Sequence, residues 1–421
     1  MSTTRTFQDM LNEYLPNRLL KEELIKRDYI LSTIDKDDSW KGGKLIVPFK
    51  ASGASSIRMG GLTASNDIAE DKYVRGSIDD YVEAWGSMIF NHRDLMEHNG
   101  KIPESTFLKI LPDTVEDYMS YMKMCVSIQL GTGPHFARSV GDEDLVNGVI
   151  EVDRIDRFVL DQKVTLVDDD TAAADFYVIA IDVNAGAVGG NGLVTLSATR
   201  GGAAANVSAY TTAANNKFYT DDADTTSFQS IRGALLSAAN GGDAAVHGQS
   251  KVAYPFLQAV NVDGSTITAL NILDKLFDAY VDVRKKARGQ AKTVLMSYKH
   301  LGSILKALQN HASLEGNYSV SDQSRKASVY GWDEIMISSV KGSLKVVGIQ
   351  EWDDDIIVLW DPTSMTFRSN GFFKKRKNPE GHEYFEVRNQ TGYQYIVDTC
   401  LFGQLEITKP GNNGIIHSIS Y

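Results

Sequence analysis

The sequence is short of cysteine, of positive charge and of long apolar runs. Two cysteines in 421 residues, Cys125 and Cys400, cannot build a disulfide framework or a cysteine-based zinc site. Both lie among apolar neighbours in the sequence, and a buried thiol is the expectation for each. No stretch approaches the ~20 apolar residues that a membrane-spanning helix needs. The opening Met1-Ser2-Thr3-Thr4-Arg5-Thr6-Phe7-Gln8-Asp9-Met10 lacks the apolar centre of a secretory signal. The expectation is a protein of the cytoplasm with no membrane contact. Lys and Arg number 43 against 54 Asp and Glu, a net charge of −11. Phosphate neutralisation by basic side chains supplies most sequence-independent affinity for nucleic acid, so tight DNA binding by the whole surface is excluded. What the chain does have is ordinary for a folded protein, with 43% apolar and 23% charged residues. Its length is enough for a substantial core in two or three domains.

Apolar periodicity divides the chain. Phe7, Met10, Leu11, Tyr14 and Leu15 recur at helical spacing, Pro16 interrupts, and Leu19, Leu20, Leu24 and Ile25 resume it. A short strand is predicted at Lys44–Phe49 and strand-like sequence from Tyr73 to Phe90. Between them residues 50–72 are small, polar and glycine-rich, with Gly53, Gly60 and Gly61 among Ser and Ala. Such a segment buries too little apolar surface to offset its ordering entropy. It reads as a projecting hairpin that becomes ordered on a partner. A helix is predicted over 112–130, opening with Pro112 and stopping at Gly131, with Val115, Tyr118, Met119, Met122, Cys125, Val126 and Leu130 on one stripe.

From 148 to 222 short apolar runs at 158–160, 163–167, 176–181 and 193–196 alternate with Asp, Gly, Ala and Asn clusters. They predict a small inserted β-barrel or sandwich, able to fold by itself. Beyond Asn240-Gly241-Gly242-Asp243 the pattern becomes α/β. A helix is expected from Leu270 to near Gly289, then a strand at Thr293–Met296, then a helix capped by Ser297 and carrying Leu301, Ile304, Leu305 and Leu308. A polar loop is expected over 311–332, followed by strands to the end.

No catalytic constellation stands out. His92-Arg93-Asp94-Leu95-Met96-Glu97-His98-Asn99 satisfies the kinase catalytic-loop pattern. The glycine-rich loop and strand lysine that must precede it are missing, and no D-F-G follows, so a polar helix start is the expectation. His92 and His98 are not at the i, i+4 spacing of a zinc pair. Asp168-Asp169-Asp170 and Asp353-Asp354-Asp355 lack the glycine and spacing of a calcium loop and read as solvated turns. Lys374-Lys375-Arg376-Lys377 is the one basic cluster. Glu380, Glu383 and Glu386 follow it closely, which favours an ion-paired strand edge facing a neighbour over a nucleic-acid contact.

This order of parts resembles a major capsid protein of a tailed bacteriophage with the Hong Kong 97-type (Johnson) fold, over nearly the whole chain. The most family-like portion is the helix–strand–helix of 270–308 followed by Val346-Val347-Gly348-Ile349 and Asp355-Ile356-Ile357-Val358-Leu359-Trp360-Asp361-Pro362. The resemblance implies an α+β class with six parts. These are an N-terminal arm (1–45), an extended hairpin loop (46–82) and a peripheral domain with a spine helix (83–147). The inserted β domain (148–222), an axial domain (223–370) and returning strands of the peripheral domain (371–421) complete it.

The implied role is structural, with no catalytic residue, cofactor or metal. Hexamers and pentamers of the chain would form an icosahedral shell around double-stranded DNA, assembled in the host cytoplasm. A separate scaffolding protein, a portal and decoration proteins are the implied partners. Candidate intersubunit contacts are Ile57, Arg58, Met59 and Leu62 in the hairpin and Lys374, Lys375, Arg376 and Lys377 on the basic strand. Two readings compete: an encapsulin-type compartment with the same fold, and a metal-dependent enzyme using the acidic runs.

Overall fold

Helical periodicity in the first thirty residues is realised as helices Phe7–Tyr14 and Asn17–Arg27. The computed structural model describes residues 4–41, 43–50, 73–79, 81–95, 102–167, 173–183, 191–210, 216–220, 227–286, 291–315, 334–339, 342–389 and 392–420. Thr6 caps the first helix, its Oγ1 accepting from the Asp9 N–H at 3.3 Å. Pro16 holds an extended backbone just before the second, as its fixed φ and missing N–H require. The chain divides into two compact units, each drawn from three separated segments: Met1–Ser32, Val82–Ser230 and Gly371–Phe402, and Thr33–Tyr81, Ile231–Asn370 and Gly403–Tyr421.

In the first unit the two N-terminal helices are docked rather than free. Phe7 is buried, stacked on Tyr395 at 4.3 Å between centroids and edge-on to Phe90 and Phe107. The predicted arm over 1–45 is therefore a folded part of this unit up to Ser32, and its remainder belongs to the second. The long helix runs Glu104–Gly131 and contains Pro112, whereas the sequence reading started it at that proline. A proline inside a helix costs about 3 kcal/mol. Burial of Phe107 and Leu111 in the turn before it offsets this, at roughly 1.5–3 kcal/mol per large apolar side chain.

The inserted β region is a closed antiparallel barrel. Its strand order is Ala174–Asp182, Gly192–Ser197, Val149–Val152, His135–Asp144, Lys217–Thr220 and Lys163–Val167, the last pairing back onto the first. Phe136, Phe158 and Phe218 meet at its centre, with ring centroids 4.9 and 5.3 Å apart for the pairs that share Phe158. The barrel thus begins at His135, not at 148. Two register shifts in His135–Asp144 broke the alternation from which that strand would be read, and such bulges bend a strand enough to close a barrel. The run Phe158-Val159-Leu160 is no strand: Phe158 ends a single 3-10 turn, Ile155–Arg157, and only its ring is buried.

The second unit holds a six-stranded mixed sheet in the order Val260–Asp263, Gly414–His417, Ile357–Trp360, Thr293–Ser297, Gly342–Ile349 and Glu334–Ser339. Thr293–Ser297 lies parallel to Gly342–Ile349 and antiparallel to Ile357–Trp360. Alternate residues Val294, Met296, Val346, Leu359 and Ile416 pack under helices Ile272–Lys286 and Tyr298–Glu315 through Leu276, Val283, Leu301 and Ile304. The second of these helices continues through 311–315, expected as loop. Ser297 does not cap it; its buried Oγ has no hydrogen-bond partner among the described residues. The second unit takes Ile231–Asn370 from the segment expected as 223–370 and Gly403–Tyr421 from that expected as 371–421, together with Thr33–Tyr81. One strand, Gly392–Ile407, accounts for the two predicted at 393–399 and 404–408.

Candidate functional site

The hairpin of the second unit is a two-stranded stem, Leu45–Lys50 antiparallel to Tyr73–Ile78. Period-two alternation gives it two faces. Val47, Phe49, Gly76 and Ile78 are buried, while Ile46, Pro48, Lys50, Tyr73 and Arg75 are exposed. The stem begins at Leu45, next to the hairpin expected over 46–82, and Val82 opens the strand Val82–Asn91 of the first unit. Ile57, Arg58, Met59 and Leu62, together with the rest of 51–72, lie outside the described residues.

The root of the stem is organised by a residue that sequence reasoning passed over. His247 and Gly248 have φ of +47° and +76° and join the short strands Ala245–Val246 and Gln249–Ser250. Two successive positive φ values are what a tight two-residue β-turn requires. The turn brings the buried imidazole of His247 flat against the Phe49 ring, 6.1 Å between centroids and 14° between planes. Its backbone oxygen accepts from the Ser77 N–H at 2.9 Å. Its Nε2 accepts from the Ile407 N–H at 2.9 Å, which places the ring proton of the neutral form on Nδ1. Burial pushes the imidazole from its ordinary 6.5 down to about 4. Gly76 is required where it stands: a Cβ there would sit 2.6 Å from the Phe49 ring and 2.9 Å from the His247 oxygen. Gln249 Nε2 adds a bond to the Arg75 oxygen at 2.9 Å.

Two cations, one buried and one half-buried, secure the surrounding loops of the same unit. Lys251 Nζ donates to the Gly233 and Leu236 oxygens, both at 2.7 Å, at the end of helix Ile231–Leu235. Burial lowers its pKa to about 8. Arg232 donates from Nη1 to Asp353 Oδ2 at 3.0 Å and from Nη2 to Asp355 Oδ2 at 2.6 Å. His300 Nε2 donates to the Asp354 backbone oxygen at 2.6 Å. The run Asp353-Asp354-Asp355, expected as a solvated turn, is instead pinned by a guanidinium. Asp168-Asp169-Asp170 lies outside the described residues. Among the described residues no group of three or more His, Cys, Asp or Glu side chains is gathered as a metal site.

In the first unit the basic cluster sits where strand Phe373–Lys375 pairs with Gly392–Ile407. Lys375 is buried to 1% side-chain exposure and paired with Glu383 at 3.0 Å; burial depresses its pKa and Glu383 opposes that. A buried side chain so held is not available to a neighbouring molecule, which removes Lys375 from the predicted intersubunit set. Lys374, Arg376 and Lys377 are exposed. Lys374 Nζ lies 5.1 Å over the Phe402 ring, and Arg376 sits 5.1 Å from the Phe385 ring and 3.8 Å from Asp398. The strand edge is ion-paired as predicted, within its own unit.

A groove of about 680 Å³ in the first unit is lined by Trp85, Tyr121, Cys125, Val159, Leu160 and Arg200, among others. Cys125 is half-buried rather than buried, and desolvation raises its thiol to about 12. Cys400 is buried and raised further by the same cause. A thiol so far from ionisation is a poor nucleophile and metal ligand at neutral pH. His92 begins a one-turn helix, His92–Leu95, and stacks on Tyr395 at 4.1 Å. It is part of an aromatic cluster, not of a catalytic loop.

No family model matches the sequence, and no curated protein matches it. Solved structures do resemble it at low identity. The capsid of the native GTA particle is 8% identical over 93% of this chain and 90% of that one, with a TM-score of 0.44. The cyanophage A-1(L) capsid is 10% identical over 92% of both chains, with a TM-score of 0.41. A chain described as Gordonia phage Cozz is 11% identical over 92% of this chain and 85% of that one, with a TM-score of 0.42.

Proposed function

We propose that the chain is the structural subunit of a tailed-bacteriophage capsid, assembling as hexamers and pentamers into an icosahedral shell around double-stranded DNA. Its role is architectural, and it carries out no reaction. The observation that carries this reading is the stem Leu45–Lys50/Tyr73–Ile78. It is rooted firmly in the second unit by Phe49, Gly76 and His247, yet it leads into 51–72, a sequence with too few apolar residues to offset its own ordering. A well-anchored stem on such a segment suits a device that reaches a neighbouring copy. Ile57, Arg58, Met59 and Leu62 are its proposed contacts, with Lys374, Arg376 and Lys377 as further candidates.

A scaffolding protein, a portal and decoration proteins are the proposed partners, and the host cytoplasm the proposed place of assembly. The test is expression of the chain alone and with a scaffolding protein, followed by light scattering after gel filtration and negative-stain microscopy. Capsomers or closed shells are expected. A stable monomer of 46.3 kDa under every scaffold and salt condition would overturn the reading.

A further inference from the structure

We propose that His247 is a proton-operated latch that ties the root of the hairpin stem to the end of strand Gly392–Ile407 and lets go when its ring is protonated. Three separated segments meet on this residue: Phe49 and Ser77 of the stem, the His247-Gly248 turn, and Ile407 at the end of strand Gly392–Ile407. Only one of these ties depends on the protonation state. Nε2 accepts the Ile407 N–H at 2.9 Å, and a protonated imidazole has two donors and no acceptor. Protonation would therefore set two N–H groups against each other in a buried place, and leave both a charge and a backbone donor unsatisfied. Such a loss is large for a buried group.

Among the described residues, no carboxylate is paired with the ring. Burial is the one cause of its lowered pKa. On the strands packed against it, Lys50 and Arg75 lie on the exposed face of the stem. Glu406 is engaged by Arg368, which also reaches Asp37.

The sign follows from linkage. A histidine whose pKa is lowered in the closed state stabilises that state fully above its ordinary 6.5. That contribution is lost as pH falls from 6.5 to about 4, by roughly tenfold in the closed-to-open ratio per pH unit. Below about 4 no more is lost on this account.

Amide hydrogen exchange on the purified full chain, with rates corrected for the intrinsic effect of pH, tests the proposal. Protection of the Ile407 and Ser77 amides should fall roughly tenfold per pH unit below 6.5, while Val346 and Leu359 in the sheet keep theirs. His247→Gln, whose side-chain oxygen can accept the same bond without titrating, should flatten the profile. A flat profile in the unsubstituted chain overturns the latch, as does a parallel loss at Val346 and Leu359. An unchanged slope in H247Q overturns it too. Should H247Q not fold, the ring resonances of His247 decide: a midpoint near 6.5 refutes the latch, and one well below it supports it.

Discussion

At the scale of single residues, the stem root depends on an absence. Gly76 leaves room for the Phe49 ring and the His247 oxygen, and the second of these is backbone that cannot swing aside. Gly76→Ala should therefore cost about 1–3 kcal/mol, the usual range for overpacking, read as a lower urea midpoint with an unchanged slope. Lys251 makes the opposite kind of contribution, since its ammonium supplies a charged donor to the Gly233 and Leu236 oxygens. Lys251→Met keeps the stem of the side chain and removes the donors, and should destabilise by about 2 kcal/mol, typical of hydrogen bonds from a charged group. Arg232→Met should cost about 1.5–3 kcal/mol, because the half-buried Asp353 and Asp355 lose a charged donor. None of these three residues was legible in the sequence. A lone Gly, a lone Lys and a lone Arg carry no periodicity, and the partners that define them lie on other elements of the unit.

Elements were legible where one local pattern decides them, and illegible where packing overrides it. The helix–strand–helix over Ile272–Glu315 and the strands after it follow their apolar periods closely, as do the stem strands. The long helix was read from its final two thirds because Pro112 is the stronger local signal, and only the burial of Phe107 and Leu111 carries the helix back to Glu104. The barrel boundary failed for a related reason. His135–Asp144 is interrupted by two register shifts, so its sequence does not alternate, yet it pairs with both Val149–Val152 and Lys217–Thr220. This has a direct consequence for folding. A fragment of residues 148–222 lacks a strand that lies between two others and cannot close, whereas residues 134–220 include all six. The longer fragment should give a β-type circular dichroism spectrum and a cooperative melt, and the shorter one a largely unfolded spectrum. Cooperative melting of the shorter fragment would show that the barrel closes without His135–Asp144.

For the whole molecule, charge and assembly pull in compatible directions under the proposed function. A net charge of −11 gives the surface little to hold phosphates with. The basic cluster does not change this, because Lys375 is buried on Glu383 and Arg376 faces Asp398. Binding to random duplex DNA at physiological salt should therefore be no tighter than about 10⁻⁴ M, the weak end of non-specific affinities, with a shallow salt dependence. Sub-micromolar binding with a steep salt slope would contradict it. A shell subunit gains from such indifference, since a packed genome held by many phosphate contacts could not leave. Its cohesion must then come from contacts between copies, and the proposed ones are separable from the core. Ile57 and Met59 belong to the sequence segment 51–72, which lies outside the described residues. The double substitution Ile57→Ser, Met59→Ser should lower the yield of shells at least tenfold, the equivalent of about 1.4 kcal/mol per copy. The melting temperature of the free subunit should shift by less than about 2 °C, as expected of side chains that serve only the proposed contact between copies. Loss of subunit stability in step with loss of shells would mean that these side chains serve the chain's own core, and would remove them from the contact between copies.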